Sequence, residues 1–150
     1  MTPDLWSLVA ILFVCVTLSA FFSASETAFT SANKVKLKTM MLNGSKRAKA
    51  ALSLAEDYDR LITTILIGNN IVNIAVSSIA TLLCVSLLGS IGATVSTIVI
   101  TVVVLIFGEI TPKIIAKDRP EQFAMFAAPL IHLLLLLFMP LNFLSSQWKK

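Results

Sequence analysis

Every Lys and Arg of this 150-residue chain falls in 34–60, in 113–119 or at the last two positions, leaving 1–33, 61–112 and 120–148 without a basic residue. Gaps of that length limit the fold more than any other feature. A helix rises about 1.5 Å per residue and the hydrocarbon layer is about 30 Å thick, so roughly 20 apolar residues make one crossing. Three to four crossings fit. With 57% apolar residues, 13% charged residues and a mean hydropathy of +0.89, the composition excludes a soluble domain and a disordered chain alike. The net charge of +4 is accounted for by how bilayer proteins orient themselves, so no nucleic-acid surface is expected. Cys15 and Cys84 sit in apolar runs and read as small buried hydrophobes rather than a disulfide framework.

The first apolar stretch, about 5–32, is far longer than the apolar core of a cleaved signal and has no basic residue ahead of it, so it reads as an uncleaved helix. Seven of the twelve basic residues follow in 34–60, which the positive-inside rule makes cytoplasmic, with the N-terminus outside. A second stretch, 61–88, returns to the uncharged turn GSIG at 89–92, and a third, about 93–116, comes back to Lys113, Lys117 and Arg119. The fourth, within about 121–146, contains Pro129 and Pro140 and runs into WKK. Crossing would place both final lysines outside, whereas an interfacial or re-entrant helix satisfies the charge rule. His132 within it reads as a packing or interface residue. The expected fold is an all-α integral membrane domain: three transmembrane helices, a cytoplasmic helical hairpin at 34–58 and a C-terminal juxtamembrane helix.

Asn43 and Gly44 should break that hairpin, with Ser45 capping its second helix. There Ala48, Ala51, Leu52 and Ala55 form an apolar stripe, expected to lie on the inner membrane surface, with the basic residues contacting anionic lipid or an attached domain.

Glu26 and Glu109 read as the two ionisable groups inside the three spans, which are expected to supply no Lys, Arg or His. A charged side chain at mid-span costs about 2.5–3.5 kcal/mol, so a proton or a metal ion is the natural countercharge. On the first helix Ser19, Ser23, Glu26 and Thr30 fall on one face; on the second, Asn70, Asn73, Ser77 and Thr81 do, and Asn69 shares a face with Asn73. Counted from the cytoplasmic ends, Ser23 and Asn70 lie about 14 Å deep, Asn73 about 18 Å and Glu109 about 10 Å. Pro112 has no N–H for the Gly108 carbonyl four residues earlier, which frees an oxygen beside Glu109. Hydroxyls, amide oxygens, a carbonyl and carboxylates form an all-oxygen set suited to Mg²⁺, Ca²⁺ or Na⁺ and unsuited to zinc or copper. The competing reading is structural. Ser and Thr in membrane helices bond their own i−4 carbonyls, asparagines join helices, and Glu26 could snorkel to the interface.

SASETAF on the first helix, GNNIVN on the second and GEITPK on the third resemble the transmembrane domain of the CorC/cyclin M family of magnesium transporters. The resemblance implies a homodimer in the plasma membrane, export of Mg²⁺ coupled to Na⁺, and further cytoplasmic regulatory (CBS) domains in full-length relatives. It also implies an ion held by Ser23, with Ser19 or Ser25, by Asn70 or Asn73, by Glu109 and by the Gly108 carbonyl. No enzymatic activity is expected, since neither a GxSG-type serine motif nor an aspartate pair is present. The rival expectation is a membrane anchor or dimerisation module for a cytoplasmic sensor, without transport of its own.

Overall fold

The computed structural model describes residues 4–138, and among them every regular element is helical. α1 (Leu5–Ser31) is followed by the short helices α2 (Lys34–Leu42) and α3 (Lys46–Glu56) and by the long α4 (Tyr58–Leu88). A 3₁₀ turn at Gly89–Ile91 leads into α5 (Gly92–Val103), a π-helical segment (Val104–Ile110) and α6 (Thr111–Asp118). α7 (Pro120–Leu137) completes the described chain. α1, the continuous Tyr58–Asp118 unit and α7 are long and apolar enough to cross a membrane. The expected C-terminal helix begins one residue early; its continuation to 146, with Pro140 and the terminal lysines, lies outside the described residues.

Local chemistry sets the breaks. Asn33 caps α2 by accepting from the Val35 and Lys36 N–H groups at 2.9 and 3.2 Å. Gly44 takes φ +92° between α2 and α3, and the expected cap forms where Ser45 Oγ accepts from the Ala48 N–H at 3.2 Å. Gly89 takes φ +65° at the turn after α4, a conformation that side chains with a Cβ rarely adopt. α5 then folds back along α4, with Gly92 placed where any Cβ would meet the Cys84 backbone.

α1 is the centre of the bundle, packed on α4, α6, the π segment and α7. One apolar core gathers at the basic end, where Ala28, Leu37, Leu61 and Ile65 meet Ala124 and Ile131. A second, smaller cluster of Val76, Ala80 and Ile100 lies farther along. The α3 stripe does not face lipid, contrary to the expectation. Ala48, Ala51, Leu52 and Ala55 are buried, and the last three belong to the large core with α7. Periodicity reveals an apolar face but not what covers it, and here α7 covers it with alanines that allow close approach. α7 starts beside Asn33 and Lys36, whereas Leu130, Leu134 and Phe138 line an apolar cavity of about 220 Å³ with Leu18, Phe22 and Val72. Its far end therefore reaches a level about 21 Å along α1 and α4 from their basic ends. His132 is exposed on this helix.

Candidate functional site

Between the two apolar cores lies a polar layer. Ser19, fully buried on α1, donates its hydroxyl to Asn73 Oδ1 on α4 at 2.7 Å and approaches Asn69 Oδ1 at 3.4 Å. Asn69 and Asn73 reach one hydroxyl because they are four residues apart on one face. Gly108 of the π segment closes the layer from the third side: a Cβ there would stand 3.1 Å from Ser19 Oγ. One turn nearer the basic end on α1, Ser23 is 1% exposed, and its Oγ is the buried side-chain polar atom without a hydrogen-bond partner among the described residues. An unsatisfied buried hydroxyl costs about 1–3 kcal/mol.

The third helix departs from α geometry at this level. Thr111 N–H reaches back five residues to Ile106 O, and Pro112, which is buried, has no N–H to give. Sequence logic frees the Gly108 carbonyl, but the π register gives that oxygen the Lys113 N–H as its five-residue partner and frees the Phe107 carbonyl, which loses Thr111 as its α partner and Pro112 as its π partner. Glu109, between them and Pro112, is half-buried, and its carboxylate makes no hydrogen bond or ion pair with another described residue. No three of His, Cys, Asp and Glu gather among the described residues, so the available donors are neutral oxygens beside single carboxylates.

The other expected site residues are dispersed. Asn70 lies on the exposed side of α4, because the buried face runs through Gly68, Val76 and Ala80 and takes Asn69 and Asn73 with it. Ser25 is buried but donates locally to Phe21 O at 2.7 Å, as Thr30 does to Glu26 O and Ser77 to Asn73 O. Ser19 departs from that local habit by bonding across to α4. The premise that the spans offer no cation to a carboxylate is corrected at Glu26: Lys113 Nζ stands 3.3 Å from its Oε2. Lys113 belongs to the basic cluster at the end of the third stretch, and the return of that helix beside α1 brings it to the carboxylate. Glu26 lies three residues from Ser23 and Lys113 four from Glu109, so the pair stands one turn basic-ward of the polar layer on the same helix faces.

A second ion pair is not legible in the sequence. Glu121, in the first turn of α7 at the basic end, is buried; it accepts from Lys36 Nζ at 3.0 Å and from the Asn33 N–H at 3.2 Å. Burial pushes its carboxyl upward, but the hydrogen bond and charge of Lys36 and the backbone donors outweigh that and hold it below the ordinary carboxylate value. The signal was a Glu after Pro120 at a helix start, but its partner is 85 residues away.

Comparison with protein families matches residues 10–148 to the cyclin M transmembrane N-terminal domain, CNNM. A UPF0053 protein of Haemophilus influenzae is 41% identical over 144 residues, covering 96% of this chain and 34% of its own length. The UPF0053 inner membrane protein YfjD of Escherichia coli is 41% identical over 129 residues, 86% of this chain and 30% of the relative. A polyamine export protein of Salmonella typhimurium is 38% identical over 64 residues, 43% of this chain and 14% of the relative. The chain thus spans about a third of the length of the two UPF0053 relatives. Three helices converging on a serine–asparagine layer beside a Pro-broken third helix, and a match over nearly the whole sequence, give one conclusion: the chain belongs to the cyclin M transmembrane-domain family.

Proposed function

We propose that this domain exports Mg²⁺ in exchange for Na⁺, by alternating access around an all-oxygen site formed by Ser19, Ser23, Asn73, Gly108 and Glu109. The observation that carries the reading is Ser23, a buried hydroxyl left without a partner one turn from a cross-helix serine–asparagine contact. The Ser19–Asn73 bond is worth only about 0.5–1.5 kcal/mol net, so an arriving cation exchanges for it readily, with both oxygens turning to the ion. Glu109 supplies the charge, and the interrupted ladder at Phe107, where neither Thr111 nor Pro112 can donate, supplies a carbonyl that water or an ion must satisfy. Such a set of mostly neutral oxygens binds Mg²⁺ weakly enough to release it, and the metal's reluctance to dehydrate favours keeping some of its waters.

In this reading the basic end is cytoplasmic, the N-terminus is outside, and the protein works as a homodimer in the cell membrane without enzymatic activity. α7 is the juxtamembrane helix in its re-entrant form: it enters from the basic face, and its last described turn lies level with Leu18 and Val72. The relative named for polyamine export supports transport of a cation as a family task. The site stands on Asn73 rather than Asn70, and on Ser19 rather than Ser25.

The test is Mg²⁺ flux through the full-length protein in sealed vesicles, with and without a Na⁺ gradient. Ser23→Ala and Glu109→Ala should abolish flux while insertion persists, and Ser25→Ala should retain it. Unchanged flux in Glu109→Ala refutes the site; spermidine flux in place of Mg²⁺ refutes the cargo. The anchor reading draws on the same Ser19–Asn73 contact as helix glue, and absence of any cation flux in the wild-type protein would favour it.

A further inference from the structure

The α2–α3 hairpin is tethered at both ends to long apolar helices. Two residues separate α1 from α2 and one separates α3 from α4, so neither short helix can move far from the end of a long apolar one. Between α2 and α3 opens a cleft of about 510 Å³. Lys34, Lys38 and Lys49 form its rim, and Val35, Met41 and Leu52 give it an apolar lining.

Its charges are uncommitted. Lys36, Arg60 and Lys113 each pair with a carboxylate, whereas Lys34, Lys38 and Lys49 form no ion pair among the described residues. Glu56 at the cleft leaves a net excess of two positive charges there, which suits a phosphodiester. Val35 and Leu42 of α2 are each 74% exposed, so this helix presents large apolar side chains beside its lysines. Such a surface is unfavourable in water and favourable where headgroups meet acyl chains. The apolar lining argues against a free anion, which would use the lysines and leave Val35 and Met41 wet.

We propose that the α2–α3 cleft is a binding site for an anionic phospholipid, its phosphate held by Lys34, Lys38 and Lys49 and its acyl chain laid on Val35 and Met41. The site is separate from the polar layer between the spans and does not depend on what that layer transports. A charge near an anionic headgroup contributes about 1 kcal/mol per Lys, which is about fivefold in affinity for each lysine removed.

The experiment measures binding of phosphatidylglycerol and phosphatidylcholine to the detergent-solubilised full-length protein by native mass spectrometry. Phosphatidylglycerol should bind in preference, and Lys34→Gln/Lys38→Gln/Lys49→Gln should weaken it by on the order of a hundredfold. Lys46→Gln/Arg47→Gln/Lys117→Gln removes the same charge at residues that do not line the cleft and should leave most of the binding. Met41→Gln, which keeps every lysine, should also weaken phosphatidylglycerol. Equal loss in the two triple variants would mean diffuse surface charge and overturn the proposal, as would equal retention of phosphatidylcholine. Displacement by glycerol phosphate at the same concentration as the lipid would show that the acyl chain contributes nothing, and would overturn it too. A melting temperature within a few degrees of wild type for each variant excludes misfolding as the cause.

Discussion

At the basic end of the bundle, Ala28, Ala51, Ala55, Ala124, Ala127 and Ala128 let α1, α3 and α7 approach closely around Leu37, Leu61 and Ile131. Beyond the polar layer, the apolar core shrinks to the cluster of Val76, Ala80 and Ile100, with Leu8 and Ser96 buried apart from it, while Trp6, Phe13, Leu87 and Ile98 project outward. Both halves are apolar, so hydropathy does not separate them. What differs is the interior: at the basic end a large core gathers elements from all parts of the chain, with two cross-element ion pairs at its rim, even though Ile114, Ile115 and Phe126 point outward, whereas the distal half has only a small cluster inside. Lipid tails are as apolar as Leu, so the distal helices gain little by excluding them, and packing rather than hydrophobic drive must hold the basic half together. The polar layer lies on the border between a tightly interlocked and a loosely interlocked half, where relative helix movement is easiest.

The largest effect expected from breaking this contrast is in the basic core. Leu61→Ala or Ile131→Ala, each at a fully buried position, should cost about 2–5 kcal/mol in unfolding from mixed micelles. Next comes the α7 clamp. Glu121→Gln should cost about 1–2 kcal/mol, discounted because Lys36 is largely exposed. The clamp also gives a pH signature. With its folded carboxyl below the unfolded value of about 4.3, Glu121 contributes stability above that pH and loses it as pH falls through the lower folded value. Glu121→Gln should therefore flatten the acid limb of a melting-temperature profile, and an unchanged limb would exclude the clamp as its source.

At the border, Gly108→Ala presses a Cβ onto Ser19 Oγ and should lower stability by about 1 kcal/mol while removing most of the Mg²⁺ flux. Proportionate losses of stability and flux would argue that Gly108 serves packing alone. Reversing one charge of the half-exposed Glu26–Lys113 pair should change stability by less than about 1 kcal/mol yet slow flux, and Glu26→Lys with Lys113→Glu should recover it. Smallest of all, Ile98→Ala, at a side chain 64% exposed, should shift unfolding by about 0.5 kcal/mol or less. A loss as large as that of Leu61→Ala would show that the distal half is covered by protein, and a concentration-dependent loss would identify a second copy of the chain.

The site was partly legible. GNNIVN and SASETAF place amide and hydroxyl oxygens on two helix faces, and i, i+4 geometry alone predicts that Asn69 accompanies Asn73. The choice of Asn73 over Asn70 was not legible, because both lie within a turn of the same stripe and only the direction from which α1 approaches selects between them. GEITP announces a break; its form as a seven-residue π segment depends on how neighbours tolerate the widened turn. Lys113 was visible as a member of a basic cluster, but its proximity to Glu26 required knowing that the end of the third helix returns beside α1.

From the one-dimensional order of its residues, then, this chain already dictates helices, their breaks at Asn33, Gly44 and Gly89, the lengths of its apolar segments and the oxygen-bearing residue types within them. These follow from interactions a few residues long: caps, positive φ at glycine, a missing proline N–H and the sign of nearby charge. Tertiary packing alone decided that α7 covers the stripe of α3, that Glu26 and Glu121 find lysines, and that Ser19 binds across to α4 while Ser23 has no partner among the described residues. Those outcomes depend on which helix faces meet. Helices in an apolar solvent choose their neighbours by shape and by a few polar contacts, information spread over positions far apart in the chain.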